Sequence, residues 1–393
     1  MNNYIRLNNE QLPRKHNGIF RKNISLWEAT ALLVPIGAGV LGIPYAVAQV
    51  GLFIGILYII ILGGIMMALN LLVGEIMVRT KGKKQLVGLA KRYLGTTGQV
   101  FMSVIIYLGL FGTLVVYIIG IGESLATIFS GGAFFWSTVF FLLGSIVIFI
   151  GLRTIKKIEF LLILGVLVIV GVIAIFSTPY VALPHITYTN WGALLFPYGV
   201  ILFAFHGTTS IPEAHSLLIH KSHILKKALI YAMLIAMCIY AVFAVIVVGV
   251  TGTQTTGIAT IGLGLAIGPS MLLFGNLFAV LAMGSSFLMV GVALRDSFVW
   301  DIKIPQTLAS FLVCGIPFLI FLLGLRQFIT AVDIVGGLFG SMEFVLLLLI
   351  YYQAKRKGDL PVGKYKLHHT AIVAILLFAM FAVGTVMSLM KLF

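Results

Sequence analysis

Charge is what this chain has least of. Asp, Glu, Lys and Arg make up only 9% of its 393 residues, against roughly 25% in a soluble domain. So few charges cannot cover a water-facing surface, which excludes a soluble enzyme or binding module. Cysteine is almost absent. Cys238 and Cys314 are the two present, both inside apolar runs, so neither a disulfide framework nor a cysteine metal site is expected. No nucleophile–base set or metal-ligand spacing occurs at membrane depth, so neither enzymatic chemistry nor a cofactor is expected.

Apolar sequence fills the space that charge leaves. Hydrophobic residues reach 61%, in runs that approach or exceed the roughly 20 residues needed to cross a bilayer. About eleven spans are predicted, near 25–50, 52–78, 99–130, 134–151, 158–178, 191–218, 224–250, 270–294, 306–323, 328–352 and 369–390. The fold class expected is therefore an all-α polytopic membrane protein, embedded in a lipid bilayer. A net charge of +15 would suit nucleic acid if it were clustered, but it is not. Every Lys and Arg except Arg326 and Lys391 falls in the tail or in alternate loops. The positive-inside rule then places the N-terminus, with the basic tail 1–24, in the cytoplasm and the C-terminus outside the plasma membrane. No nucleic-acid partner is expected.

Two spans are interrupted by one pattern, G-x-x-[GS]-I-P, running from Gly39 to Pro44 and from Gly207 to Pro212. Glycine tolerates the angles that end a helix, and proline suits the first turn of a new one. Breaks in lipid are tolerated where the freed backbone faces a cavity or ligand. A matched pair in two halves of a membrane protein points to a secondary transporter's binding site. The bland alternative is close helix packing through small residues. If the breaks are equivalent, residues 25–178 and 191–352 form five-helix halves. With an odd number of helices each, they insert upside down relative to one another, and 369–390 is an additional helix.

At this point the residues resemble a known family. The run from Gly37 through Gly39, Leu41 and Pro44 to Ala46 is similar to the G-x-G-[IVL]-L-x-[IL]-P-[YF]-A signature of the amino acid/auxin permeases, within the amino acid–polyamine–organocation superfamily. Phe205-His206-Gly207 with Ser210-Ile211-Pro212 resembles the sixth-helix pattern there. Ser285-Ser286-Phe287-Leu288, followed by Val290, Leu294, Asp296 and Phe298, resembles the bacterial hydroxy/aromatic amino acid permeases. Ser285 stands for the usual threonine, and Met289 and Ala293 for common glycines. The resemblance implies a leucine-transporter-type 5+5 inverted repeat, with helices one and six broken around an amino acid and one helix extra.

An amino acid zwitterion needs donors for its carboxylate and acceptors for its ammonium. The amides of Gly37, Ala38 and Gly39, at the start of a half-helix with its positive dipole end, are the expected carboxylate donors. Added bulk at Gly39 is expected to fill ligand space. Phe203, Ala204, Phe205 and His206 occupy the second unwinding stretch, where carbonyls could take the ammonium and rings could shape an apolar pocket. Tyr117 is a candidate cover. No charged side chain lies inside either break, which favours a neutral amino acid, aromatic and hydroxy side chains included.

Coupling has two candidate routes. Ser285 and Ser286 supply hydroxyls for Na+, and resemblance to sodium-coupled members adds the carbonyls of Leu33, Ile36 and Ala282. The serines could instead satisfy themselves on the preceding turn. A proton route would use His206 and Glu343, the deepest of the less easily dismissed acids Glu123, Asp333 and Glu343. Glu75, four residues before Arg79, reads as an ion pair. The leading expectation is a Na+- or H+-coupled symporter of neutral L-amino acids working by alternating access. An uncoupled exchanger is the nearest alternative. An amino acid sensor is a weaker one, because the tail and loops are short.

Overall fold

The computed structural model describes residues 24–390 apart from 83, 151–164, 166–167, 219–221, 301–302, 362–364, 366 and 368–369. The basic tail lies almost wholly outside the described residues, as do the start of the fifth predicted span and some or all of each of the five basic loops. Among the described residues every regular element is helical. In chain order they are α1 Leu26–Leu33, α2 Gly39–Val50, α3 Leu52–Arg79, α4 Leu86–Ile128, α5 Ala133–Ile150 and α6 Val168–Tyr180. The short α7 Pro184–Thr187 follows, then α8 Pro197–Phe205, α9 Ile211–Leu217, α10 Ser222–Thr251, α11 Ala259–Ile267 and α12 Pro269–Trp300. Last come α13 Gln306–Leu322, α14 Phe328–Asp333, α15 Ser341–Lys357 and α16 Thr370–Met390. A π-helical segment, Ile334–Gly340, joins α14 to α15 as one span.

Among the described residues, seven helices are long and apolar enough to cross a bilayer on their own. The predicted first and sixth spans are each split in two, as α1/α2 and α8/α9. Side chains on α3, α5, α12 and α16 such as Phe53, Leu143, Phe274 and Ile375 are exposed, as a lipid-facing surface requires. The core between the spans is built from the broken helices together with α3, α4, α10 and α12.

The two breaks do not have the same anatomy. The second follows its motif: Gly207 precedes a 3-10 turn over Thr208–Ser210, and Pro212 sits in the first turn of α9. The first lies upstream of its motif. Residues 34–38 are the non-helical ones, while Gly39 opens α2 and Pro44 lies inside it. The cause is Pro35. A residue preceding proline is pushed out of the α region, and Val34 is extended at φ −70° and ψ 119°. Ser25 starts α1 with a reciprocal capping box to Glu28, so this half-helix is defined at both ends by local chemistry.

Two features escaped the span prediction. The loop 251–269 carries an apolar helix, α11, that packs on α10, α12 and α2. The third span is extended by a helical arm over Leu86–Leu94, set off by Gly95 at φ 76°. That angle suits glycine, and the arm turns away from the span there.

Candidate functional site

The two breaks face one another. A Cβ on Gly207 would lie 3.2 Å from Pro35 Cβ and 3.9 Å from the Leu33 carbonyl oxygen. Tyr240 of α10 ties them together: its hydroxyl bonds the Ala204 carbonyl at 2.8 Å and also reaches the carbonyl of Pro35. One buried side chain thus shares its single O–H proton between an acceptor on each broken helix, beside helix ends whose carbonyls lack intrahelical partners. Phe205 stacks edge-on with the same Tyr240 ring, centroids 5.0 Å apart.

Gly37 and Gly39 look in different directions. A Cβ on Gly37 would meet the Tyr117 hydroxyl at 3.2 Å and the Ser286 hydroxyl at 3.6 Å. That brings together the first break, α4 and α12 around a small polar space. A Cβ on Gly39 would lie 2.4 Å from Ala204 Cα and 3.0 Å from its nitrogen. The space beside Gly39 is therefore occupied by the α8 backbone, which corrects the expectation that bulk there would fill room meant for ligand. Close helix approach through small residues explains this glycine. The first turn of α2 is closed by Val40 and Leu41 amides bonded to the carbonyls of Gly37 and Ala38. The amides of Gly37, Ala38 and Gly39 lie just ahead of it.

On the second break, several expected roles meet prior engagements. The Phe203 carbonyl already accepts the His206 amide at 3.2 Å, and the Ala204 carbonyl accepts Tyr240. Phe203 packs toward the π segment, where a Cβ on Gly336 would lie 2.7 Å from Phe203 Cβ. The Phe205 ring turns toward α3, within reach of Gly63. It is part of the helix packing, not of the space beside Gly37.

Ser285 and Ser286 both donate to the Ala282 carbonyl at 3.0 Å. This is the bond to the preceding turn that serines in helices commonly make. It gathers three of the five proposed cation ligands, and Ile36 stands next to Gly37, which faces Ser286. Leu33 lies across the break at Gly207.

His206 and Glu343 meet. Glu343, 3% exposed, stands in the first turn of α15, directly after the π segment. One carboxylate oxygen accepts the Thr208 hydroxyl at 2.6 Å and the other lies 3.1 Å from His206 Nε2. His206 Nε2 is also 3.2 Å from Thr208 Oγ1, and the imidazole stands edge-on to Phe344. Thr208 was not singled out from sequence. Its signal was a place in the polar stretch His206-Gly207-Thr208-Thr209-Ser210 that interrupts an apolar span. Elsewhere Glu75 pairs with Arg79 at 2.6 Å as its spacing predicted. A separate cavity of about 130 Å³ between α14, the π segment and α16, lined by Phe196, Asp333 and Ser388 among others, contains none of the expected substrate-site residues.

Two broken helices locked face to face around a small polar space is an arrangement found in transporters, and the comparisons agree. The sequence profile of the tryptophan/tyrosine permeases matches residues 22–388. The chain belongs to the tryptophan/tyrosine permease family. A glutamine transporter of Aliivibrio fischeri is 28% identical over 293 residues, 70% of this permease and 75% of that protein. Among solved structures, MhsT in complex with L-phenylalanine matches with a TM-score of 0.69 at 14% identity, covering 94% of this permease and 98% of that chain. A manganese transporter of Eremococcus coleocola, bound to an aromatic bis-isothiourea compound, matches with a TM-score of 0.64 at 14% identity, over 96% and 89%. At such identities the likeness shows the fold, which is of the leucine-transporter type expected from the motifs. This permease is a multi-pass membrane protein of an amino acid transporter family, and no enzyme.

Proposed function

We propose that this permease moves neutral L-amino acids, aromatic ones among them, across the cytoplasmic membrane by alternating access, coupled to Na+ or H+. The observation that carries the reading is the convergence of the Tyr117 and Ser286 hydroxyls on Gly37, between two broken helices that share Tyr240. The substrate carboxylate is received by the amides of Gly37, Ala38 and Gly39 at the positive end of α2. Tyr117 covers it. The second break receives the ammonium through a free lone pair on Phe203, Ala204 or Phe205, since a carbonyl oxygen accepts twice. No charged side chain lies inside either break, which supports a substrate without a charged side chain. The aromatic preference is supported by the family and by the phenylalanine bound in the neighbour of like fold. The glutamine relative supports a neutral substrate more broadly.

In this reading residues 25–178 and 191–352 are the inverted halves, and 369–390 lies outside them. The N-terminus is cytoplasmic and the C-terminus extracytoplasmic, as the loop charges require. For Na+, Leu33, Ile36 and Ala282 would contribute carbonyls and Ser285 and Ser286 hydroxyls, an all-oxygen set that suits a hard cation. The test is uptake of labelled L-tryptophan, L-tyrosine, L-phenylalanine, L-serine and L-glutamine into proteoliposomes, under an imposed Na+ or H+ gradient. Accumulation of at least one above the outside concentration supports the proposal. Uptake that only equilibrates, yet is accelerated by preloaded substrate, would make the permease an exchanger.

A further inference from the structure

The trio of His206, Thr208 and Glu343 brings two titratable side chains together inside the span. An acid at this depth is costly unless paired, and among the described residues no Lys or Arg bonds it; its partners are a threonine hydroxyl and an imidazole. With the imidazole neutral and the carboxylate ionised, the pair carries one negative charge within the span. One proton taken from water removes it. His206 retains 20% side-chain exposure, which leaves an approach for that proton, while Glu343 is sealed.

Position adds a second argument. Glu343 belongs to α15, whereas His206 and Thr208 are the residues of the α8–α9 break itself. The two bonds therefore fasten the unwound stretch to a helix outside it. Bonds to an ionised carboxylate are about twice as strong as neutral ones, so protonation loosens this fastening beside the space that holds substrate. The π segment immediately before Glu343 is the irregularity that sets its register, a feature frequent at functional sites.

We propose that His206, Thr208 and Glu343 bind the coupling proton, and that its arrival frees the α8–α9 break from α15. This rests on the transport reading above and chooses the proton over Na+. The other titratable groups around α15 are committed elsewhere. Glu75 of α3 holds Arg79 and accepts the Tyr351 hydroxyl at 3.3 Å. Tyr198 of α8 bonds Ser341, Tyr107 of α4 bonds Ser297, and Lys355 bonds Thr370. Tyr352 and Arg356 contact each other on the exposed side of α15. Asp333, at the far end of the π segment, packs on Gly199. The described part of α16 brings no titratable side chain.

The experiment uses the full chain in proteoliposomes with the same five labelled amino acids as a mixture. It compares wild type with Glu343→Gln under an inward H+ gradient, and then by exchange against preloaded mixture. Glutamine keeps the shape and an oxygen to accept the Thr208 hydroxyl but holds no titratable proton. Gradient-driven accumulation is expected to fall to the level of empty liposomes, while exchange of label continues. Proton-driven accumulation unchanged in Glu343→Gln, or wild-type accumulation driven by Na+ alone, overturns the inference and leaves the transport reading intact. No movement of any label in wild type overturns both. Should Glu343→Gln fail to fold, Thr208→Ala serves. The break then loses one of its two bonds to α15, so proton-driven accumulation is expected to fall several-fold while exchange of label continues. Proton-driven accumulation unchanged in this variant overturns the assignment.

Discussion

Gly37 and Gly39 are two residues apart and do different work. Gly37→Ala places a methyl 3.2 Å from the Tyr117 hydroxyl and 3.6 Å from that of Ser286, both ends of side chains that can shift. Its thermal midpoint is expected to stay near wild type while substrate affinity falls. Gly39→Ala drives a methyl to 2.4 Å from Ala204 Cα, where only backbone movement relieves the clash. Overpacking of this sort costs about 1–3 kcal/mol, so the loss is expected in stability first. Melting curves in detergent beside equilibrium binding of labelled amino acid separate the two cases. Equal loss of stability in both variants would mean that Gly37 too is only a packing residue. In the sequence these glycines are indistinguishable, because the direction of a missing side chain depends on which helix arrives opposite.

The helical elements show how the breaks are held. The first is imposed locally, by Pro35 acting on Val34, and the proline is plain in the sequence. The second is marked by Gly207 and Pro212. Their mutual attachment is not local at all: it comes from Tyr240, in the middle of a long unbroken helix. Tyr240→Phe leaves the Ala204 and Pro35 carbonyls without this donor, at a cost of about 1–3 kcal/mol for buried groups left unsatisfied. Faster amide hydrogen exchange confined to residues 34–38 and 204–210 is the expected signature. A uniform change across α10 would instead indicate a general packing loss. Nothing in the residues around Tyr240 distinguishes it from an ordinary interfacial tyrosine.

At the scale of the whole molecule, distant chain segments are clasped at the ends of the spans. Asp359, between α15 and α16, accepts Arg92 of the α4 arm at 2.5 Å and the Lys81 amide at 3.3 Å. The Asp359 and Leu360 amides in turn bond the Arg79 carbonyl. The hydrogen bond from Arg92, with the Lys81 amide behind it, holds the Asp359 carboxyl below the usual carboxylate range. A lowered folded value means the clasp contributes fully above the ordinary value of about 4 and is lost as pH falls through the folded one. The gap in thermal midpoint between wild type and Asp359→Asn is therefore expected at neutral pH and should close below about pH 4. A gap that persists in acid would show that Asp359 acts through its shape. The clasp is partly exposed, so its effect is small and screened by salt.

Much of this permease was legible before any coordinates. The runs of apolar residues, the scarcity of charge and the alternation of basic loops determined the class, the spans and the two interrupted helices, because bilayer thickness and backbone satisfaction act on local sequence. Ion pairs at helical spacing, Glu75 with Arg79, were equally local. His206 and Glu343 were visible one at a time as polar groups at improbable depth. Only the tertiary structure decided that they meet, that Thr208 joins them, that Tyr240 binds one break to the other, and that Gly37 faces two side-chain hydroxyls while Gly39 faces backbone. Each of these is a contact between helices far apart in sequence, and packing geometry, which no local propensity encodes, determines which side chains share a space.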